Sequence, residues 1–206
     1  MSALAACLLA RLSPAGLASP AADSRLMALA RRGDPSALDE LVRRHQTVVY
    51  NLAYRMLRQR EDAEDVTQEA FLRAFEVLPR LKDDAAFRSW LSRIAANLCL
   101  MRLRSRHSRT LLPADAQDWP DDHAGRENQS SAEAGIAVRA AIAQLPPKYR
   151  LAVVAFYMEG RSYKEAARLA GVPVLTLKTR LYRARRMLRR LLGPAVLKEG
   201  NPDDEM

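Results

Sequence analysis

Two groups of residues in this 206-residue chain have the types and spacing to do chemistry. The first lies in the run EDAEDVTQEAFLRAF, which sets Asp62, Asp65 and Glu69 along one stripe of a helix, with Gln68 beside them. Carboxylates at this spacing suit acid–base chemistry, a divalent cation, a basic partner helix, or nothing beyond solvation. Spacing alone favours the solvated face. The second group is Lys178, Thr179, Arg180, Tyr182, Arg183, Arg185, Arg186, Arg189 and Arg190, a segment with no acid at all. Arg is built for bidentate contact with guanine or phosphate. On a helix entering the major groove, the N-terminal side chains reach base edges and the later ones meet phosphates. The plain alternative is a solvated basic helix, which is what most basic runs are.

The elements around the basic group decide between those two readings. It belongs to SYKEAARLAGVPVLTLKTRLYRARRML, Ser162 to Leu188. Ser162 and Glu165 form an S-x-x-E capping box that starts one helix. Ala166, Ala167 and Ala170 are small enough for a second helix to cross closely. Gly171 closes the first helix and Pro173 helps begin the second, so the stretch reads as a helix-turn-helix. Leu175, Leu177, Leu181 and Leu188 are expected to pack the second helix. Capping box, turn and missing acids together favour a DNA-reading element.

Elsewhere, apolar residues recur at three- and four-residue spacing and strand signals are nearly absent, so the chain reads as all-α. Expected helices run from Arg25 to Arg32 with Asp23 or Ser24 as cap, from Pro35 behind Asp34 to Leu57, from Asp62 to Leu78, and from Ala86 past Arg104. The stretch LLPADAQDWPDDHAGRENQSSAEAG carries six acids against Arg126 and reads as a flexible acidic linker. Helices Ile136 to Leu145 and Tyr149 to Glu159 follow it. The expected organisation is an N-terminal extension over 1–22, a helical domain over 23–110, the linker over 111–134, a helix-turn-helix domain over 135–193 and a frayed tail over 194–206.

The net charge of +9 calls for a polyanionic partner, nucleic acid first and an anionic membrane second. Cys7 and Cys99 are far apart, and His45, His107 and His123 are scattered, so neither a disulfide framework nor a metal site is indicated. No Gly-rich phosphate loop, GxSxG or HExxH occurs. No cofactor, catalytic residue or small-molecule substrate is expected. The apolar start is interrupted by Arg11 and preceded by no basic residue, so it reads as an extension, not a secretory leader.

Three segments taken in order, EDAEDVTQEAFLRAF, FRSWLSRIAANLCLMRLR and LPPKYRLAVVAFYMEGRSYKEAARLAGVPVLTLKTRLYRARRML, resemble a bacterial RNA polymerase σ factor of the two-domain extracytoplasmic-function (ECF) group. The resemblance spans roughly Asp23 to Leu192. It implies a σ2-like bundle and a σ4-like helix-turn-helix domain, with RNA polymerase core (β′ clamp and β subunits), promoter DNA and an anti-σ protein as partners. It further implies that Asp62, Asp65, Gln68, Glu69 and Phe71 dock on the β′ clamp. The loop Leu81 to Ala86 and a helix with Phe87, Arg88, Trp90, Arg93, Asn97, Arg102, Arg104 and Arg106 would open and hold the −10 strand. Asn97 matches a base-contacting position, and Trp90 is expected to be mostly core. Thr176, Lys178, Thr179, Arg180, Tyr182, Arg183 and Arg186 would read the −35 duplex. Where the family usually shows Gly-Thr-Val, this chain has Leu175-Thr176-Leu177. The linker is either a channel-threading phosphate mimic or a plain tether. The protein would work in the bacterial cytoplasm, or at the membrane when an anti-σ holds it there.

Two rivals stand beside this reading. One is a conventional helix-turn-helix regulator with a sensory first domain. The other is an enzyme using Asp62, Asp65 and Glu69 with a metal, for which no complete constellation converges.

Overall fold

In the computed structural model, residues 20–80, 87–109 and 129–193 are described, and all regular structure among them is helical. Most of the N-terminal extension, the Leu81–Ala86 loop, most of the acidic linker and the C-terminal tail, all singled out above, lie outside the described residues; residues 20–22 of the extension belong to the first helix.

One compact unit falls within residues 14–113. Its helices are α1 (Pro20–Ala30), α2 (Pro35–Leu57), α3 (Arg60–Val77) with a 3-10 turn at Leu78–Arg80, and α4 (Phe87–Arg109). α2 starts where local chemistry says it must. Asp34 accepts a 2.9 Å hydrogen bond from the Ser36 N–H, and Pro35 occupies the first turn, where no intrahelical partner is lost. Arg58 adopts the left-handed conformation at φ 60° and ends α2, so α3 doubles straight back. α2 packs against α1, α3 and α4. Its apolar stripe of Leu41, Val49, Leu52, Ala53 and Met56 is buried with Val66 and Ala70 of α3 and Leu91 and Ala95 of α4.

Asp23 does not cap the first helix. It lies inside α1, buried, with its Oδ2 3.0 Å from His45 Nε2 and its Oδ1 3.4 Å from Arg44. This polar pair ties α1 to α2. The His45 ring meets Phe87 edge-on at 5.3 Å, and burial lowers its pKa below the ordinary histidine value against the pull of Asp23. Cys99 is buried on α4, where desolvation pushes its thiol up to about 12.

The second unit includes residues 114–206. Its helices are α5 (Gln129–Gln144), α6 (Pro147–Val153), α7 (Tyr163–Ala170) and α8 (Val174–Leu192). α5 begins seven residues before the Ile136 expected from sequence, so residues 129–134 of the expected linker are helical. The Tyr149–Glu159 helix is α-helical only to Val153, then widens into a π turn at Val154–Met158. The buried Arg150 guanidinium donates to the carbonyls of Ala143 and Leu145, closing the C-terminal end of α5. α8 packs on α5, α6 and α7.

Candidate functional site

The helix-turn-helix is assembled by its own capping chemistry. The Ser162 hydroxyl accepts from the Glu165 N–H at 3.3 Å, and the Glu165 carboxylate accepts from the Ser162 N–H at 2.9 Å and its hydroxyl at 2.6 Å. These bonds hold the Glu165 pKa below the usual carboxylate value. Gly171 at φ 62° takes the left-handed turn that ends α7, a conformation that costs a side chain energy. α8 then buries Leu177, Leu181 and Ala184, spaced four and three apart, against the rest of the unit. The opposite face is left to Thr176, Lys178, Thr179, Tyr182, Arg183 and Arg186, all exposed, with Arg180 half-buried. Leu175 is a correction to the expected packing. It stands 76% exposed in the first turn, on the same side as Thr176 and Thr179.

Thr176, Thr179, Arg180 and Arg183 share one open cleft of about 300 Å³ with Lys148 and Tyr149 of α6. The Arg183 guanidinium beside Tyr149, together with Lys148, holds that phenol below the ordinary tyrosine range. Lys148 Nζ lies 5.0 Å from the centre of the Tyr149 ring. Further along, Lys178 Nζ sits 5.3 Å over Tyr163, whose ring stacks on Phe156 at 4.4 Å. Lys148, Tyr149 and Tyr163 were not singled out from sequence. Only the position of α6 against α8 brings the first two into the cleft.

In the first unit, the α3 residues separate. Asp65 and Gln68 are exposed, and Glu69 is half-buried in a 2.6 Å ion pair with Arg73. Phe71 is a core side chain, 5% exposed, and presents no docking surface. Its place on the outer face is taken by Leu72, 66% exposed, four residues beyond Gln68 and one turn from Glu76. Asp62 turns toward α4. Its Oδ1 is 2.8 Å from Arg102 Nη1, and Arg106 reaches its Oδ2. Arg102 also lies 3.2 Å from Asp65. Two residues assigned by resemblance to different partners, Asp62 and Arg102, are therefore paired with each other. Burial lowers the pKa of Arg106.

On α4 the outward stripe is Arg93, Asn97 and Arg104, joined by Met101, 56% exposed. Arg88 and Trp90 flank it. Trp90 is half-buried and not fully core, with its ring 6.3 Å from Phe87. An amide between an apolar wall and two guanidiniums is the chemistry that holds an unstacked base. Among the described residues, no group of three His, Cys, Asp or Glu side chains is placed to hold a metal.

Comparison with known proteins fits both units. Residues 41–109 match Sigma-70 region 2, and residues 136–188 match Sigma-70, region 4. The chain is 40% identical over 171 residues to "ECF RNA polymerase sigma factor SigM" of Mycobacterium tuberculosis (strain ATCC 25618 / H37Rv), covering 83% of this chain and 85% of the relative. Among solved structures, CnrH in complex with the cytosolic domain of CnrY is 28% identical with a TM-score of 0.58, covering 83% of this chain and 97% of that one. The sigma factor RpoE of Bartonella quintana, solved with the anti-sigma factor NepR, shares the fold at 21% identity and a TM-score of 0.59, covering 75% and 95%. The capped helix-turn-helix, the acid-edged bundle and these matches make the chain a member of the ECF sigma-70 family, an alternative RNA polymerase sigma factor.

Proposed function

We propose that the first unit seats the protein on RNA polymerase core through the outer face of α3, with Asp65, Gln68, Glu69 and Leu72 as the contact residues. Asp62 acts indirectly, by fixing α3 to α4. The carboxylates pair with basic side chains of a partner helix, and Leu72 supplies the apolar centre that such an interface needs. The α4 stripe of Trp90, Arg93, Asn97, Met101 and Arg104 holds an unpaired −10 strand. Thr176, Lys178, Thr179, Arg180, Tyr182, Arg183 and Arg186 engage the −35 duplex. Neither DNA contact needs to be strong, because joining them on one chain makes the second contact intramolecular. The domains divide at the linker, with α5 assigned to the second.

Strand opening is driven by base capture, without a catalytic residue. The setting is the bacterial cytoplasm, and no described helix is long and apolar enough to cross a membrane. An anti-sigma protein is the expected regulator, in keeping with the RpoE chain of the same fold solved with one bound.

The observation that carries this reading is the contrast of the two faces: α8 has no acid along its length, while the exposed α3 face is acid-rich around a bare leucine. Leu72→Asp tests it. The expected result is loss of core-polymerase binding with unchanged helicity and unchanged duplex-DNA binding. Full retention of core binding would remove α3 from the interface.

A further inference from the structure

The leading end of α8 carries an inference that rests on the DNA-binding reading of this helix and extends it to which base the helix selects. Leu175 lies in the first turn and is 76% exposed, more than any other large apolar side chain among the described residues. At about 100° per residue, Leu175, Thr179 and Tyr182 fall within a sector of about 60°, turned away from the buried Leu177, Leu181 and Ala184. Thr179 Oγ1 donates to the Leu175 carbonyl at 3.1 Å, which commits the hydroxyl to the helix and leaves the methyl for contact. Tyr182 is 50% exposed. Lys178 and Arg183 flank this sector on opposite sides. Lys178 Nζ sits 5.3 Å over the Tyr163 ring, and Arg183 lies beside Tyr149. The middle of a basic face is therefore an apolar strip.

The base edges in the major groove are hydrogen-bonding groups with one exception, the C5-methyl of thymine. A leucine laid on the amino group of cytosine or adenine would take a donor out of water and offer it no acceptor. Laid on thymine, it buries a methyl against a methyl. Nor does α8 carry an acid to accept from cytosine. The flanking cations favour a polyanion over an apolar protein pocket as the partner of this strip. We infer that Leu175, backed by the Thr179 methyl, is a specificity-determining residue that selects thymine in the −35 duplex through its C5-methyl.

The test uses the full chain with purified core polymerase. Run-off transcription on a library randomised across the −35 region first gives the preferred element. Each thymine of that element is then replaced singly by deoxyuridine in a synthetic promoter, which removes the C5-methyl and keeps the pairing. Thymine and deoxyuridine promoters compete in one reaction at limiting holoenzyme, and the transcript ratio is read. The wild type should favour thymine about fourfold at one position, the value of one buried methyl-sized group. Leu175 is exposed, so Leu175→Ser disturbs no core packing. It should abolish the preference at that position and leave the other positions as they are. Leu175→Met, apolar and of similar volume, should keep it. A preferred element without thymine, or equal use of thymine and deoxyuridine by the wild type at every position, would overturn the inference. So would an unchanged preference in Leu175→Ser, which would leave Leu175 to a protein partner, or loss of transcription by Leu175→Ser from every promoter, which exceeds one methyl contact. Equal use of all −35 sequences by the wild type, with initiation present, would instead defeat the underlying reading of α8.

Discussion

Replacing Asp62 with Asn separates a structural role from a docking role. Asp62 is 17% exposed at its side chain and faces Arg102 and Arg106 across the α3–α4 interface. At an effective dielectric near 20, one such pair is worth about 4 kcal/mol gross. The guanidiniums are 29% and 38% exposed, so solvent screening and desolvation remove most of that, leaving about 1–2 kcal/mol net. Asn keeps the shape and one acceptor oxygen but leaves two cations facing a neutral group. With urea slopes of about 1–3 kcal/mol/M, the unfolding midpoint of the first unit should fall by about 0.3–2 M. Trp90 of α4 is the reporter, in a Trp119→Phe background that silences the other tryptophan. Asp65→Asn is the internal comparison. Asp65 is 62% exposed and only 3.2 Å from Arg102, so its loss should cost under about 0.5 kcal/mol. An Asp62→Asn midpoint equal to wild type, or a larger drop for Asp65→Asn, would refute the assignment of Asp62 to the helix interface.

His45 is held neutral by burial, with its pKa below the ordinary 6.5. Its contribution to stability is full above pH 6.5 and declines as pH falls from there toward the lowered folded value. Urea midpoints at about pH 7.5 and 5.5 should show that decline, and His45→Gln should reduce it. The charged neighbours facing this ring are Asp23, Arg44 and Arg88, so the same titration in Asp23→Asn should give a steeper decline. In the second unit, Ser162→Ala removes the hydroxyl half of the capping box and should cost about 1 kcal/mol of stability, read as a lower melting temperature. Cys99 should stay unmodified by a thiol reagent at neutral pH until the chain is denatured, because its thiol is buried and shifted to about 12.

Features fixed by neighbours in the chain could be read from the sequence. Asp34-Pro35, the Ser162–Glu165 box and the Gly171 turn each use residues within a few positions, so their chemistry shows in the order of letters. Features fixed by packing could not. Asp23 meets His45 across 22 positions and Arg102 meets Asp62 across 40, and no local pattern marks either pair. Lys148 and Tyr149 join the cleft only because α6 lies against α8. A third kind of miss had a usable signal. The buried stripe of α8 is Leu177, Leu181 and Ala184, and at about 100° per residue Leu175 falls on the far side of it. The same angular bookkeeping puts Leu72 outside and Phe71 inside on α3, where the family resemblance had placed Phe71 on the docking surface. The start of α5 was hidden by its Gln-Ser-Ser opening, which reads as linker until the helix is seen to run through it.

The central claim is that one chain carries both a core-polymerase face and the promoter-reading elements. Run-off transcription on a randomised promoter library, with purified core polymerase and no other sigma factor, tests it most directly. The account predicts discrete start sites that share a −35 and a −10 sequence at fixed spacing, lost in Leu72→Asp and weakened in Asn97→Ala. No promoter-dependent initiation by wild-type protein with core, or transcription only when a second sigma factor is supplied, would contradict it.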